Sequence, residues 1–244
     1  MNLSENTKVR DVAVSNSNAR KILEQAGMDY CCGGDKSLRD ACIQSDTSSD
    51  TSLDEIMERL RTTDEPLSQK DAEWTLAPLH ELTRHIVNRH HAYVREAIQH
   101  IEPLLEKVKA KHGQRHPEIA EIEALFSQTA EEMIAHMQKE EQILFPYINA
   151  LALSAAEKRA VEPPFFRSVR NPIRTMMKEH DSAGELTKQI RRESFGYTAP
   201  ADACASFQAL YRELGEFEAD LHEHVHLENN ILFPRAIELE SAPH

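Results

Sequence analysis

Glycine is scarce in this chain: 7 of 244 residues, about 3% against a usual share of roughly 7%. Aromatic residues make up only 6%. With 11 prolines, this argues against a turn-rich β fold and for long helices. No apolar run approaches the roughly 18 residues that a membrane span needs. The stretch from Met1 to Arg20 is polar, without an apolar core or a small-residue cleavage site, so no secretory signal is expected. Four cysteines are too few for a disulfide scaffold, and adjacent Cys31 and Cys32 would make a strained bond with each other. A basic surplus is lacking too: 28 Lys and Arg face 41 Asp and Glu, a net charge of −13. That balance argues against nucleic acid or an anionic membrane as partner. These absences predict a cytoplasmic protein with reduced thiols.

What is present is segregated. All 13 histidines lie from His80 onward, whereas Cys31, Cys32 and Cys42 lie in the first 42 residues and only Cys204 lies downstream. The length fits one or two domains, and the split suggests two units with different chemistry. A small helical unit is expected over residues 1–62. Ser17 to Gln25 reads as a short helix stopped by Gly27. Asp29-Tyr30-Cys31-Cys32-Gly33-Gly34 reads as a turn with unusual backbone angles, and Ser52-Leu53-Asp54-Glu55 as a capping box. Sixty helical residues are marginal alone, so docking or dimer contacts are expected, including a possible homodimer. A polar linker is expected at 63–75.

Residues 76–244 read as an antiparallel four-helix bundle, giving an all-α protein overall. Apolar positions step by three and four in four long segments. The first includes Val94, Ile98, Ile101 and Leu105, with Pro103 as an expected kink. The second starts at Pro117 and includes Ile119, Phe126, Met133 and Ile143. Asn171-Pro172 opens the third, and the fourth includes Phe207, Leu214, Leu221 and Ile231.

An internal repeat singles out chemistry. His136-Met-Gln-Lys-Glu140-Glu-Gln-Ile-Leu-Phe-Pro146 recurs 88 residues later as His224-Val-His-Leu-Glu228-Asn-Asn-Ile-Leu-Phe-Pro234. The shared pattern is H-x3-E-x2-I-L-F-P, with the proline expected to end each helix. His91 and His180, 89 apart, place the same relationship in the preceding helices. Periodicity alone does not separate His90 from His91; the repeat spacing favours His91. His136, Glu140, His180, His224 and Glu228 fall on the apolar stripes. A single histidine on such a face is usually a hydrogen-bonded core residue, but two buried carboxylates need compensation and no Lys or Arg lies within a turn on the stripes. His and Glu at i, i+4 share one face. The four imidazoles and two carboxylates therefore predict a metal centre. Nitrogen and carboxylate without thiolate suit iron or manganese, and six ligands exceed the four of a structural zinc. The remaining histidines are expected to be solvated or to support the ligands, as are Glu132 and Glu179. Cys42 and Cys204 are expected to be structural.

The doubled repeat resembles hemerythrin-like di-iron domains. Together with the Cys-Cys-Gly-Gly element, it is similar to the iron–sulfur cluster repair di-iron proteins, the Repair of Iron Centers family, from about Val9 to Ile237. The resemblance implies His91, His136, His180 and His224 as ligands of two iron ions, with Glu140 and Glu228 bridging them in an oxo- or hydroxo-bridged centre. Oxygen-carrying hemerythrins place a second histidine four residues after the third-helix ligand, where this chain has Gly184, and use H-x4-D in the fourth helix. One iron is therefore expected to be less saturated by protein, and so more labile or more open to nitric oxide and peroxide. The family implies repair of clusters in damaged iron–sulfur proteins after nitrosative or oxidative stress, by iron donation, with Cys31 and Cys32 receiving, passing on or reducing something. Two alternatives remain. One is a di-iron nitric oxide reductase; the other is a sensor or carrier of nitric oxide or oxygen. Thiols set apart from the histidines favour iron donation, since storage of a small ligand does not need them.

Overall fold

A computed structural model describes residues 3–15, 17–45, 52–62, 74–157, 159, 161–162 and 164–242. Most of the expected linker, and His244, lie outside them. The described residues are helical, apart from turns and one isolated bridge between Lys8 and Ser37.

Four short helices come first: α1 (Val9–Ser15), α2 (Ser17–Gln25), α3 (Leu38–Gln44) and α4 (Leu53–Thr62). Gly27 adopts φ +65° just beyond α2, a backbone angle that glycine reaches without cost. Ser52 and Glu55 cap α4 reciprocally: each backbone N–H donates to the other's side chain, at 3.2 and 3.3 Å. Gly33 and Gly34 do not carry the left-handed angles expected of them. They are glycines for want of space. A Cβ on Gly33 would lie 2.5 Å from the Asp29 carbonyl oxygen, and one on Gly34 would lie 2.7 Å from Asn230 Oδ1.

The bundle has four long helices. α5 (79–112) comprises Leu79–His85, a π turn at Ile86–His91, and Ala92–His112, and runs through Pro103. α6 (118–157) comprises Glu118–Lys139, a π turn at Glu140–Leu144, and Phe145–Glu157. α7 is Arg170–Glu193. α8 (205–241) comprises Ala205–His226, a π turn at Leu227–Leu232, and Phe233–Ser241. α6 packs on α7, α5 on α8, and α5 on α6.

The π turns correct two expectations. Pro146 and Pro234 do not end their helices. At each, the preceding residue already bonds five back, Phe145 to Glu140 and Phe233 to Glu228. The widened turn accommodates a proline that has no N–H to give and a bulky ring. The extra residue also shifts the apolar stripe, so Leu144 is buried while Ile143 is 38% exposed.

One apolar cluster joins the N-terminal unit (Val9, Leu23, Tyr30) to bundle residues such as Val94, Phe126 and Phe217. A second contains Leu82, Phe145, Ile173 and Phe233. The turns bearing the repeated His and Glu fall where the two meet: Met137, Ala183 and Val225 belong to the first cluster, Phe145 and Phe233 to the second. Among the described residues, no helix is long and apolar enough to cross a membrane.

Candidate metal centre

Three of the four bundle helices carry a π turn at the residues the repeat selected. His91 closes the one in α5, Glu140 opens the one in α6, and Glu228 lies in the one in α8. Such turns re-aim side chains within a helix and cluster at functional sites. Here they bring all six predicted groups together, each fully or almost fully buried.

The donor atoms form two groups. His91 and His224 lie with Glu140 and Glu228; His136 and His180 lie with the same two glutamates. Both carboxylates thus belong to both groups, as two metal ions sharing their bridges require. Within each group the imidazoles present Nε2 to one another, at 3.2 Å for His91 and His224 and 3.0 Å for His136 and His180. Two nitrogens at about 2.1 Å from one metal, set at right angles, lie about 3.0 Å apart. Stacking of His91 on Phe145 and of His180 on Phe233 fixes two of the rings.

Electrostatics supports a cation. Both carboxylates are fully buried with imidazole nitrogens beside them: Glu140 Oε2 lies 3.4 Å from His91 Nε2 and 3.3 Å from His136 Nε2, and Glu228 Oε2 lies 3.0 Å from His180 Nε2. Two buried carboxylates cost several kcal/mol unless positive charge compensates them. Burial and Glu228 both act to raise the Glu140 pKa, yet the imidazoles of His136 and His91 hold it low. Burial likewise opposes ionisation of Glu228, but His224 and His180 push its pKa well below the usual carboxylate range. His136 is pushed up to about 10: burial disfavours its charge, but Glu140 and Glu179 outweigh that. Divalent ions at this point would supply the positive charge that protons on imidazole otherwise supply.

The outer partners set the tautomers. Nδ1 of His91 donates to Glu141 Oε1 at 2.7 Å, that of His136 to Glu179 Oε2 at 2.9 Å, and that of His180 to Asn229 Oδ1 at 3.0 Å. Each bond leaves the Nε2 lone pair aimed inward. Of the two carboxylates expected either to support a ligand or to be solvated, Glu179 supports His136, whereas Glu132 pairs with Gln128 and Ser182 on the exposed side. Glu141 and Asn229 were missed. They occupy the same repeat position, directly after the shared glutamate, and each holds a histidine of the preceding helix. That equivalence was the available signal. His224 Nδ1 has no partner. The residue equivalent to Glu179 in the other half is His90, which stacks on His224 with ring centroids 5.7 Å apart and bonds Asp220 at 3.1 Å. His90, His112 and His226 are buried rather than solvated.

The N-terminal thiols lie against this site. Asn229 Nδ2 donates to the Cys31 carbonyl and Asn230 Nδ2 to the Tyr30 carbonyl, both at 3.0 Å. A Cβ on Gly184, one turn beyond His180, would lie 3.7 Å from Cys32 Sγ. Cys42 is half-buried against the core, and Cys204 directly precedes α8, its Sγ 3.2 Å from His112 Nε2.

Comparison with known proteins agrees with this anatomy. Residues 82–236 match the hemerythrin HHE cation binding domain, and residues 5–63 match a domain of unknown function, DUF542. The chain is 37% identical over 235 residues to a probable iron–sulfur cluster repair protein of Haemophilus influenzae, covering 94% of this chain and 96% of the relative. It is 34% identical over 234 residues to the iron–sulfur cluster repair protein YtfE of Musicola paradisiaca, covering 95% and 96%. It is 35% identical over 232 residues to YtfE of Yersinia pseudotuberculosis, covering 95% and 97%. The chain belongs to the family of iron–sulfur cluster repair proteins, with a DUF542 unit joined to a hemerythrin HHE cation binding domain.

Proposed function

We propose that this protein repairs iron–sulfur clusters damaged by nitrosative or oxidative stress, by donating iron held in a di-iron centre. His91, His136, His180 and His224 hold the two ions, and Glu140 and Glu228 bridge them. The observation that carries this reading is the sharing of both glutamates between two pairs of histidines. Two imidazoles per metal leave coordination positions open, which favours release of iron as cargo and access by small ligands such as nitric oxide or oxygen.

Cys31 and Cys32 act on where the iron goes. Asn229 supports this assignment, because one amide contacts both a metal-side imidazole and the thiol loop. Thiols in that role need a reducing compartment, so the protein works in the cytoplasm. The 1–62 and 76–244 units divide the labour: one guides iron, the other stores it. Clients are damaged iron–sulfur proteins.

The open positions also favour a second reading, a nitric oxide reductase that couples two nitric oxide molecules. One experiment separates them. Iron-loaded protein is mixed anaerobically with a cluster-damaged dehydratase, and activity recovery is followed beside nitric oxide consumption. Donation predicts recovery; rapid nitric oxide consumption without recovery supports the reductase.

A further inference from the structure

The thiol loop has more than two donors. Cys31 Sγ lies 3.8 Å from Cys32 Sγ and 3.3 Å from Asp29 Oδ1, and the three donor atoms lie within 4.8 Å of one another. Adjacent cysteines usually point apart, so this convergence needs a cause. Asp29 supplies part of it. Its Oδ1 accepts the backbone N–H groups of Cys32 at 2.9 Å and Gly33 at 3.2 Å, which folds the loop back over its own carboxylate. Gly33 permits that closure, since any Cβ there would strike the Asp29 carbonyl. The bundle supplies the rest: Lys188 Nζ holds Asp29 Oδ2 at 3.0 Å, and Asn229 holds the Cys31 carbonyl.

These distances match one face of a tetrahedral site. Two sulfurs at about 2.3 Å from a metal lie about 3.8 Å apart, and a sulfur and a carboxylate oxygen lie about 3.6 Å apart. Charge also balances. Two thiols, one carboxylate and the Lys188 ammonium sum to zero, and so do two thiolates, one carboxylate, the ammonium and a divalent cation. Binding therefore releases two protons and leaves no net charge in a largely buried pocket.

We propose that Asp29, Cys31 and Cys32 form a mononuclear site for a divalent, thiolate-preferring cation, separate from the His/Glu centre and with a fourth position open to an incoming ligand. Cys32 and Asp29 are half-buried, so the cation reaches the site from solvent. In the iron-donation reading, on which only its role rests, this is where ferrous iron is held after leaving the histidines and before an acceptor thiolate takes the fourth position.

The test uses the full chain loaded with two irons, titrated anaerobically with Co2+. One further equivalent is expected to bind with a thiolate-to-metal charge-transfer absorption, which a His/Glu centre cannot produce. Cys31→Ser and Cys32→Ser should each abolish it, while the iron content stays at two per chain and shows the variants folded. Asp29→Asn should weaken binding by at least the ~10-fold that losing a supporting partner costs a metal site. Absence of the absorption in the unaltered protein overturns the proposal, as does its persistence in the Cys31→Ser/Cys32→Ser double variant, which places it at Cys42 or Cys204. Binding without cluster repair leaves this site standing and removes the donation reading. Repair without binding removes this site alone.

Discussion

Asn229 and His180 are joined by a 3.0 Å hydrogen bond, in which the imidazole Nδ1–H donates to the amide oxygen. The other end of the same amide donates to the Cys31 carbonyl. In the first half of the repeat, the equivalent residue is Glu141, which accepts from His91 but has no N–H to give. The amide in place of a carboxylate adds one bond to those from Asn230 and Lys188 that hold the N-terminal unit. Asn229→Asp keeps the acceptor for His180 and loses the donor for Cys31. It should retain metal yet lose cluster repair, whereas Asn229→Leu should lose both. Elemental analysis beside a repair assay checks this, and equal behaviour of the two variants contradicts it.

The shared glutamates predict a cooperative loss of metal. Glu140→Leu or Glu228→Leu removes a donor from both groups, so each should lower the iron content well below one per chain rather than from two to one. Glu179→Gln leaves both donor groups in place, changes the outer partner of His136 and the ion pair to Lys139, and should weaken metal retention by about 10–100-fold, measured as the rate of iron loss to a chelator.

Gly34 marks where the thiol loop meets α8. A Cβ there would lie 2.7 Å from Asn230 Oδ1 and 2.9 Å from Arg10 Cβ. Gly34→Ala should cost about 1–3 kcal/mol, as overpacking does, and lower the Tm while leaving the metal content intact. An unchanged Tm would show that the loop yields freely.

Asp29 gives a pH dependence. Burial works to raise its pKa, but Lys188 and the N–H groups of Cys32 and Gly33 bring it from 3.8 down to about 2. A carboxyl depressed on folding adds stability above pH 3.8, and that contribution disappears as pH falls through about 2. The stability difference between the unaltered protein and Asp29→Asn should be full at pH 5 and shrink steadily between about pH 4 and 2. A difference that does not change across that range contradicts the assigned contact.

The legible part of the structure was what periodicity carries. Stripes of three and four placed the bundle helices, and the 88-residue repeat separated His91 from His90 although both are buried. The π turns were not legible, because one inserted residue has no composition of its own. That is why Ile143 stood in the stripe where Leu144 belongs, and why Pro146 read as a stop. Asn229 carries neither the imidazole nor the carboxylate that marks the repeat, and its role depends on contacts 49 and 198 residues away in sequence. The docking of the Cys31 loop rests on such contacts throughout, so only the folded chain displays it.

The central claim is that iron held by the histidines and glutamates reaches damaged clusters by way of Cys31 and Cys32. The most direct measurement loads the protein with isotopically labelled iron, mixes it with a cluster-damaged dehydratase, and follows both label and activity in the re-isolated dehydratase. The account predicts that label and activity return together, and that the Cys31→Ser/Cys32→Ser variant, with its two irons intact, delivers neither. Recovery without label in the dehydratase, or undiminished transfer from the double variant, would contradict it.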